Sequence, residues 1–435
     1  MESPMKLETY QIIKNNALTH RGHQYHELAT QYGTPLYIFD ETSFKERVLA
    51  YKKSFESPYF ETQILYASKA LLTKAIGKLI AQLGIGQDVV SGGEIYVGLA
   101  AGVPAENMYF HGNNKTNAEL SYAIEQGVGT IVIDNRMEIS RVNQIANEKN
   151  TVQRVLLRLN PGVEAHTHDY IKTAHLDSKF GESVFDSEIE AVIKKMVDAP
   201  NLMFAGFHCH IGSQIFDQTS FLKAASEMLA FAQTIEQKLE IRIEEINFGG
   251  GFGVYYTSDD TPFDVTEFLP QFTEFIHEES QRLGLSLKKI TIEPGRSLVN
   301  ASGSTLYTVG DIKHTTGGKD YLFIDGGMSD NIRPALYQAK YEAILTNKAT
   351  QDAMTRYTIA GKACESGDKI IESIELPVAE TGDLLLVNGT GAYNYTMASH
   401  YNRLPKPAMI HIDGDSHRLT VKRESYEDLM RHELD

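Results

Sequence analysis

Side chains that can do covalent, acid–base or anion-binding chemistry follow short apolar runs in this sequence. In chain order these are Ser68-Lys69, Ser91-Gly92-Gly93, His111-Gly112-Asn113-Asn114, Arg158 with Asn160, His208-Cys209-His210-Ile211-Gly212-Ser213, Gly249-Gly250-Gly251 and Glu293-Pro294-Gly295-Arg296. If the runs are parallel strands of one barrel, their carboxyl ends meet at one rim and these groups converge there. Residues kept for stability alone would be scattered over both ends of the strands.

Lys69 directly follows the apolar Ile64-Leu65-Tyr66 run, where a helix is expected to begin. An isolated lysine at such a place is ordinarily solvated. An ammonium group is, however, unfavourable at the positive end of a helix. Desolvation there would favour the neutral amine that a Schiff-base lysine needs, so the position indicates a covalent role.

Glu293 ends a buried run and permits two interpretations. It is either a carboxylate that forms a salt bridge with Arg296, or the partner of a protonated pyridine nitrogen. The second interpretation has a chemical reason, because an opposite charge within about 4–6 Å keeps such a nitrogen protonated. A protonated ring is what an electron-withdrawing cofactor requires.

His208 and His210 are two residues apart on a predicted strand. One interpretation is a metal-binding pair, but no carboxylate lies near them in the sequence to complete a ligand set. A flat imidazole under an aromatic ring is the better interpretation of His210, with His208 as a core or supporting residue.

The Gly249-Gly250-Gly251 run, followed by Gly253, is a candidate phosphate loop. Without Cβ atoms the backbone can approach an anion closely and turn its amides toward it. Its place after the seventh run is where barrels commonly bind phosphate, and Ser213 and Gly295 offer further donors. No Lys-Ser or Lys-Thr pair follows, so this is not a Walker loop.

Eight short runs, each followed by a loop and a helix-like stretch, would position these groups. The runs are Thr62–Ala67, Gln87–Val90, Asn107–His111, Thr130–Ile133, Gln153–Leu159, Phe204–His210, Glu244–Phe248 and Lys288–Ile292. After the first run, Leu72, Ile76, Leu79, Ile80 and Leu83 form one apolar helical face that Gly84 ends. The alternation predicts a (β/α)8 barrel, with a doubly wound sheet as the competing fold.

Past Gly295 the rhythm changes to strands separated by turns. The predicted strands are Ser304–Val309, Tyr321–Ile324, Tyr357–Ala360, Leu384–Val387 and Ala408–Ile412. This pattern predicts a second, mostly β domain. The expected division is a barrel over residues 36–298 and a β-rich domain made of residues 1–35 and 299–435.

Charge and cysteine content exclude several classes of protein. The 435 residues carry 41 basic and 57 acidic side chains, a net charge of −16 that disfavours nucleic-acid binding. No transmembrane segment or secretory signal is expected. The two cysteines, Cys209 and Cys364, predict a reducing compartment, the cytoplasm, and exclude both a disulfide framework and a zinc ribbon.

The motifs together resemble a known family. Tyr66-Ala67-Ser68-Lys69-Ala70, Asp88-Val89-Val90-Ser91-Gly92-Gly93-Glu94, His111-Gly112-Asn113-Asn114-Lys115 and His208 to Gln214 resemble the fold-type III, pyridoxal-phosphate-dependent amino-acid decarboxylases. Glu293-Pro294-Gly295-Arg296, Arg333 to Tyr337, Cys364-Glu365-Ser366-Gly367-Asp368 and Gly391-Ala392-Tyr393 narrow the resemblance to the branch that acts on diaminopimelate. It runs from about residue 30 to the C-terminus, with the motifs in family order.

The resemblance implies an alanine-racemase-like fold and a role for each motif residue. Lys69 would form the covalent bond to pyridoxal 5′-phosphate and Cys364 would be the general acid. The implied cofactor contacts are Lys69, Asp88, His210, Ser213, Gly250, Gly251, Glu293, Gly295, Arg296 and Tyr393. The implied substrate contacts are Arg296, Arg333, Tyr337, Glu365 and Tyr393. No metal is implied.

The implied reaction converts meso-2,6-diaminopimelate into L-lysine and CO2, the last step of lysine biosynthesis. The implied assembly is a homodimer in which the Cys364–Glu365 loop completes the site of the other subunit. Three alternatives stay open. They are a related decarboxylase acting on ornithine, arginine or carboxynorspermidine, a metal-dependent barrel hydrolase using His208 and His210, and a non-catalytic cofactor-binding relative. The last should lack Lys69 or Cys364, and both are present.

Overall fold

The computed structural model describes residues 5–163 and 178–435, and these residues form two compact units. One unit, called the barrel unit below, comprises Arg47–Gly253 and Pro262–Ser297. The other, called the β unit, comprises the described residues up to Glu46 together with Val254–Thr261 and Leu298–Asp435.

Parallel strands close into a barrel in the barrel unit, as the sequence predicted. In spatial order they are Glu61–Ala67, Gly86–Val89, Met108–Phe110, Thr130–Ile133, Gln153–Asn160, Leu202–His208, Glu245–Asn247 and Lys289–Ile292. The last strand pairs with the first, where Ile292 lies opposite Ile64. This closure excludes the doubly wound sheet, and each predicted run lies within about two residues of its strand.

The barrel helices follow the predicted periodicity. They are Lys74–Leu83, Gly92–Ala101, Asn117–Glu125, Arg136–Glu148, Ile189–Val197, Gln218–Leu239 and Val265–Leu283, and Glu41–Ser54 precedes the first barrel strand. The first of the seven is capped at its N-terminus by Thr73, whose side chain accepts a hydrogen bond from the amide of Ile76, and at its C-terminus by Gly84. Its residues Ile76, Leu79 and Ile80 are buried, as the apolar face predicted.

Strands dominate the β unit. They are Gln11–Lys14, Ala17–His20, His23–Gln24, Leu36–Asp40, Gly303–His314, Asp320–Ile324, Ala343–Leu345, Thr355–Ala360, Lys369–Leu376, Leu384–Asn388, Ala408–Asp413 and Ser416–Val421. Helices Tyr25–Tyr32 and Arg333–Tyr337 accompany them. The twelve-residue strand Gly303–His314 organises the sheet, because it pairs with Leu36–Asp40, Asp320–Ile324 and Leu384–Asn388.

Apolar side chains fill the β unit from both sides of that strand. Tyr307, Val309 and Leu322 belong to one buried cluster, and Leu36, Leu306 and Ile410 belong to another. The five strands predicted from the sequence are all present. Among the described residues, every helix is too short or too polar to cross a membrane.

Candidate active site

Three neighbouring barrel strands bring Lys69, Asp88 and His111 to the same rim. Lys69 lies in a short 3-10 turn, Ser68–Ala70, that directly follows strand Glu61–Ala67. Asp88 pairs with Ala67 across the sheet, and His111 is the residue after strand Met108–Phe110. Lys69 is exposed, whereas Asp88 and His111 are buried.

Glu293 lies at the end of strand Lys289–Ile292 and accepts three hydrogen bonds. His111 Nε2 lies 2.6 Å from Oε1, His208 Nε2 lies 2.9 Å from Oε2, and Asn247 Nδ2 donates to Oε1 at 2.8 Å. The expected alternative partner, Arg296, is not among them. The carboxylate is therefore held by three side chains from three other strands or strand ends.

Burial and hydrogen bonding determine which side chains of this cluster are charged. Burial alone would raise the pKa of Glu293, but the charges and hydrogen bonds of His111 and His208 hold it well below its usual value. Burial likewise opposes protonation of His111, yet Glu293 and Asp88 raise its pKa. Burial lowers the pKa of His208 to about 4. The cluster thus combines an anionic Glu293 with a neutral His208, and the neighbouring carboxylates favour the protonated form of His111.

Two further carboxyl groups respond to the charge on Lys69. Burial raises the pKa of Asp88 to about 6, and Lys69 is one of the charges that oppose this shift. Burial, with repulsion from Asp88, raises the pKa of Glu94 to about 7, and Lys69 again opposes it. The Glu94 carboxylate also accepts a hydrogen bond from the amide of Val90 at 2.6 Å. The charge of Lys69 therefore favours the ionised form of both carboxyl groups.

His210 lies just past strand Leu202–His208 and is held by the glycine run. The amide of Gly250 donates to His210 Nδ1 at 3.3 Å. Burial, reinforced by the Lys69 ammonium, lowers the pKa of His210 well below its usual value. The ring is therefore neutral, with its Nδ1 used as an acceptor, and it presents a flat apolar face.

The glycine run packs closely against neighbouring backbone, and Arg296 lies beside it. A Cβ atom on Gly250 would lie 2.2 Å from the carbonyl oxygen of Glu293. One on Gly251, whose φ is +109°, would lie 2.3 Å from that of Gly212. Only glycine fits at these two positions. Arg296 Nη2 donates to Ser213 Oγ at 3.2 Å, so a guanidinium and a hydroxyl meet beside the run.

These rim residues fit pyridoxal 5′-phosphate. The ionised, buried Glu293 suits a pyridinium nitrogen, and the neutral His210 suits the face of an aromatic ring. The glycine run, Ser213 and Arg296 suit a phosphate group. Gly295 packs against strand Glu61–Ala67, since a Cβ there would lie 2.8 Å from Ala67 Cβ, and this contact ties Gly295 to the strand that leads to Lys69.

Four of the five predicted substrate residues, Arg333, Tyr337, Glu365 and Tyr393, belong to the β unit, and Arg296 belongs to the barrel unit. Arg333 is buried, its Nη1 donates to Tyr341 Oη at 2.7 Å, and its guanidinium carbon lies 4.7 Å from the ring centre of Tyr256. These contacts fix the orientation of the planar guanidinium group, which can form two parallel hydrogen bonds with a carboxylate. Tyr337 is exposed, and Tyr393 is half-buried with a φ of +61°.

Cys364 and Glu365 lie together in an exposed turn of the β unit. Glu365 Oε1 accepts hydrogen bonds from Ser366 Oγ and from the amide of Gly367, both at 3.2 Å. Cys364 has the exposed thiol, and Cys209, the other cysteine, is buried behind the barrel rim. The turn therefore places the Cys364 thiol where a ligand can reach it.

Two expectations about the rim are wrong, and three supporting residues were not predicted from the sequence. Lys69 is exposed rather than desolvated, because it lies in the 3-10 turn Ser68–Ala70 and the helix begins only at Lys74. No carboxylate was expected beside His208, but Glu293 lies there because the barrel brings its eighth strand near the sixth. His111 was recognised only as part of a motif, and Asn247 and Tyr341 were not singled out. The polar Asn247 inside a buried apolar run was the one available indication.

The cluster of His111, His208 and Glu293 also has the composition of a metal site. Their ligand atoms lie within 4.8 Å of one another. Asn247, however, directs an amide N–H at the same carboxylate oxygen that His111 contacts. A donor aimed at this oxygen indicates a carboxylate held by hydrogen bonds rather than a cation ligand.

Comparison with known proteins agrees with the geometry. Residues 41–300 match the family model described as "Pyridoxal-dependent decarboxylase, pyridoxal binding domain". Diaminopimelate decarboxylase of Bacillus subtilis is 46% identical, with coverage of 94% of this chain and 93% of that protein. That of Staphylococcus aureus is 42% identical, with 97% and 99% coverage. The crystal structure of diaminopimelate decarboxylase from M. jannaschii in complex with L-lysine superposes with a TM-score of 0.91 at 32% identity over 98% of each chain.

The closed barrel and the family match over residues 41–300 define a pyridoxal-dependent decarboxylase. The chain belongs to the diaminopimelate decarboxylase family. The fold, the enzyme class and the cofactor predicted from the sequence are thereby confirmed.

Proposed function

We propose that this chain decarboxylates meso-2,6-diaminopimelate to L-lysine and CO2, the last step of lysine biosynthesis. The observation that carries the proposal is the buried Glu293, held ionised by His111 and His208 on the rim that also bears Lys69. The bound cofactor supplies an aldehyde for Lys69 and a ring that withdraws electrons from the substrate carbon. Every other requirement falls on side chains of the protein.

Cofactor binding is divided among the rim residues. Lys69 would provide the amine for covalent attachment, with Asp88 as a further cofactor contact. Glu293 keeps the proton on the ring nitrogen, because its low pKa prevents it from taking that proton away. His210 supports the ring face. Ser213, Gly250, Gly251, Gly295 and Arg296 hold the phosphate, and Tyr393 adds a further contact.

Substrate recognition requires groups for the distal end, which carries both a carboxylate and an ammonium. Arg296 and Arg333 suit the carboxylate and Glu365 suits the ammonium, with Tyr337 and Tyr393 as further contacts. Arg333 is already oriented by Tyr341. Ornithine and arginine lack the distal carboxylate and would leave a guanidinium unpaired. A site built on such contacts rejects an analogue by roughly 10⁴-fold.

Cys364 is the proposed general acid. Its thiol would give a proton to the substrate carbon that has lost its carboxylate, which completes the carbon skeleton of L-lysine. The exposed position of Cys364 and Glu365 supports their use at the site of a second subunit. We infer a cytoplasmic homodimer, which suits an enzyme whose reactive thiol must stay reduced.

Purified protein with pyridoxal 5′-phosphate tests the function directly. Lysine formation from meso-diaminopimelate supports the proposal, whereas ornithine, arginine and carboxynorspermidine should react at least 100-fold more slowly. A preference for one of these would replace the proposed substrate. Loss of activity on addition of a chelator, together with metal found in the purified protein, would favour the metal-dependent barrel hydrolase that uses His208 and His210.

Mixed subunits test the proposed dimer. Lys69→Ala and Cys364→Ala subunits are each inactive in this account, but a mixed dimer has one intact site. Equal mixing should restore about a quarter of wild-type activity if the sites are shared between subunits. No recovery in mixtures shown to exchange subunits would contradict the shared site.

A further inference from the structure

The turn that bears Cys364 is attached to the β unit by a buried carboxylate at its base. Asp368 Oδ2 accepts a hydrogen bond from the amide of Ala363 at 2.8 Å, and Oδ1 accepts one from the amide of Met328 at 2.7 Å. The carboxylate also packs against Gly361, where a Cβ atom would lie 2.3 Å from Oδ2. The base of the turn therefore has little freedom.

The reactive residue itself has a separate restraint. The amide of Cys364 donates to Oδ1 of Asn402 at 2.7 Å, across 38 positions of sequence. Asn402 lies in a short turn, Tyr401–Arg403, and has left-handed backbone angles, φ 52° and ψ 25°. Asparagine is among the few residues other than glycine that adopt this conformation at low cost. The side chain thus reaches Cys364 from a backbone geometry that few residues could replace.

We propose that Asn402 is a positioning residue that fixes the backbone of Cys364 for proton donation. The inference rests on the proposed function of Cys364 as general acid. Asp368 anchors the turn and Asn402 restrains the one residue that bears the thiol, so rotation about the Cα–Cβ bond is the main freedom left to Sγ. Proton transfer requires the thiol within hydrogen-bond reach of the receiving carbon, and a misplacement of about 1 Å can cost roughly 100-fold in rate.

Substitutions of Asn402 separate its two properties. Asn402→Gly keeps the left-handed backbone and removes the acceptor, whereas Asn402→Asp keeps both. Asn150 offers a matched control, because it is also an exposed asparagine with a φ of 52°, at the end of helix Arg136–Glu148 in the barrel unit. Asn150→Gly should behave as wild type in both measurements below.

Hydrogen exchange of the holoenzyme measures the contact without turnover. In Asn402→Gly, exchange in the peptide containing residues 361–369 should be about fivefold to tenfold faster. Asn402→Asp should retain the protection. Steady-state assays with meso-diaminopimelate should show kcat reduced about tenfold to 100-fold in Asn402→Gly, with KM and cofactor absorbance near wild type. Asn402→Asp should recover most of kcat.

Unchanged exchange and unchanged kcat in Asn402→Gly would overturn the inference, as would a loss of cofactor binding equal to the loss of kcat. Faster exchange with normal kcat would show a contact without a positioning role and would also reject it. Failure of the proposed function is distinguishable, since it requires wild-type protein that makes no lysine, or Cys364→Ala that turns over normally.

Discussion

His111 Nε2 lies 2.6 Å from Glu293 Oε1, and the two side chains are buried together within the barrel rim. They come from the third and eighth barrel strands, 182 positions apart in the sequence. Together with His208, His111 holds the pKa of Glu293 well below its usual value, so the contacts that favour the negative charge of Glu293 come from the protein itself.

Glu293→Gln should lower kcat by about 100-fold to 1,000-fold, because the neutral amide cannot stabilise charge on the ring nitrogen. His111→Gln keeps a donor but removes its charge and should cost about tenfold to 100-fold. Steady-state kinetics and the absorbance of bound cofactor check both effects. His314→Gln, at an exposed position of the β unit, serves as control. Equal activity of wild type and Glu293→Gln would show that Glu293 is not the partner of the ring nitrogen.

Cys364→Ala should bind cofactor normally and turn over at least 100-fold more slowly, because positioned general acids contribute about 100-fold to 10,000-fold. Absorbance titration with pyridoxal 5′-phosphate measures the binding, and lysine release measures turnover. Cys209→Ala is a useful comparison, since that thiol is buried and burial raises its pKa to about 12. Unchanged turnover in Cys364→Ala would show that another group donates the proton.

Arg333→Lys should raise KM for meso-diaminopimelate at least tenfold, because an ammonium cannot form the two parallel hydrogen bonds of a guanidinium. Tyr341→Phe removes only the hydroxyl that accepts a hydrogen bond from Arg333, and it should raise KM about threefold to tenfold. Initial-rate measurements across substrate concentrations separate KM from kcat. A normal KM in Arg333→Lys would show that the distal carboxylate is bound elsewhere.

The lowered pKa of Asp40 predicts how the stability of the β unit depends on pH. Burial alone would raise its pKa, but hydrogen bonds from His20, Arg21 and the amide of Ser43 lower it to about 2. Because the folded pKa is below the unfolded one, the carboxylate stabilises the fold above about pH 4. That contribution, about 2 kcal/mol, is lost as the pH falls from 4 toward 2.

Asp40→Asn should therefore lower the urea midpoint at pH 7, and the difference from wild type should narrow below pH 4. Asp415→Asn, at an exposed position, should leave the midpoint unchanged at both pH values. A difference that stays constant from pH 7 to pH 3 would mean that Asp40 acts by packing and not by charge.

The barrel was predictable because its strands are short, apolar and regularly followed by helices. Lys69 and Glu293 were identified for the same reason, since each directly follows a buried run. Strand Lys369–Leu376 was not predicted because Glu372 and Glu375 interrupt its apolar pattern, and only part of it is buried. Local sequence therefore identified which residues reach the rim.

Partners across the fold were not predictable in the same way. The contacts of Glu293 with His111 and of Cys364 with Asn402 join residues far apart in the chain, and their geometry depends on closure of the barrel and on a left-handed turn. Of the two interpretations of Glu293, the salt bridge with its sequence neighbour Arg296 is not observed, because the carboxylate is held by His111, His208 and Asn247 instead.

Every role proposed for the rim depends on covalent attachment of pyridoxal 5′-phosphate to Lys69, and reductive trapping detects that bond. The holoenzyme is treated with borohydride and digested with trypsin, and the peptides are mapped by mass. We predict the added mass of the reduced pyridoxyl group on the peptide containing Lys69, and no visible cofactor absorbance in Lys69→Ala. A stoichiometric label on another lysine, with Lys69 unmodified, would contradict it.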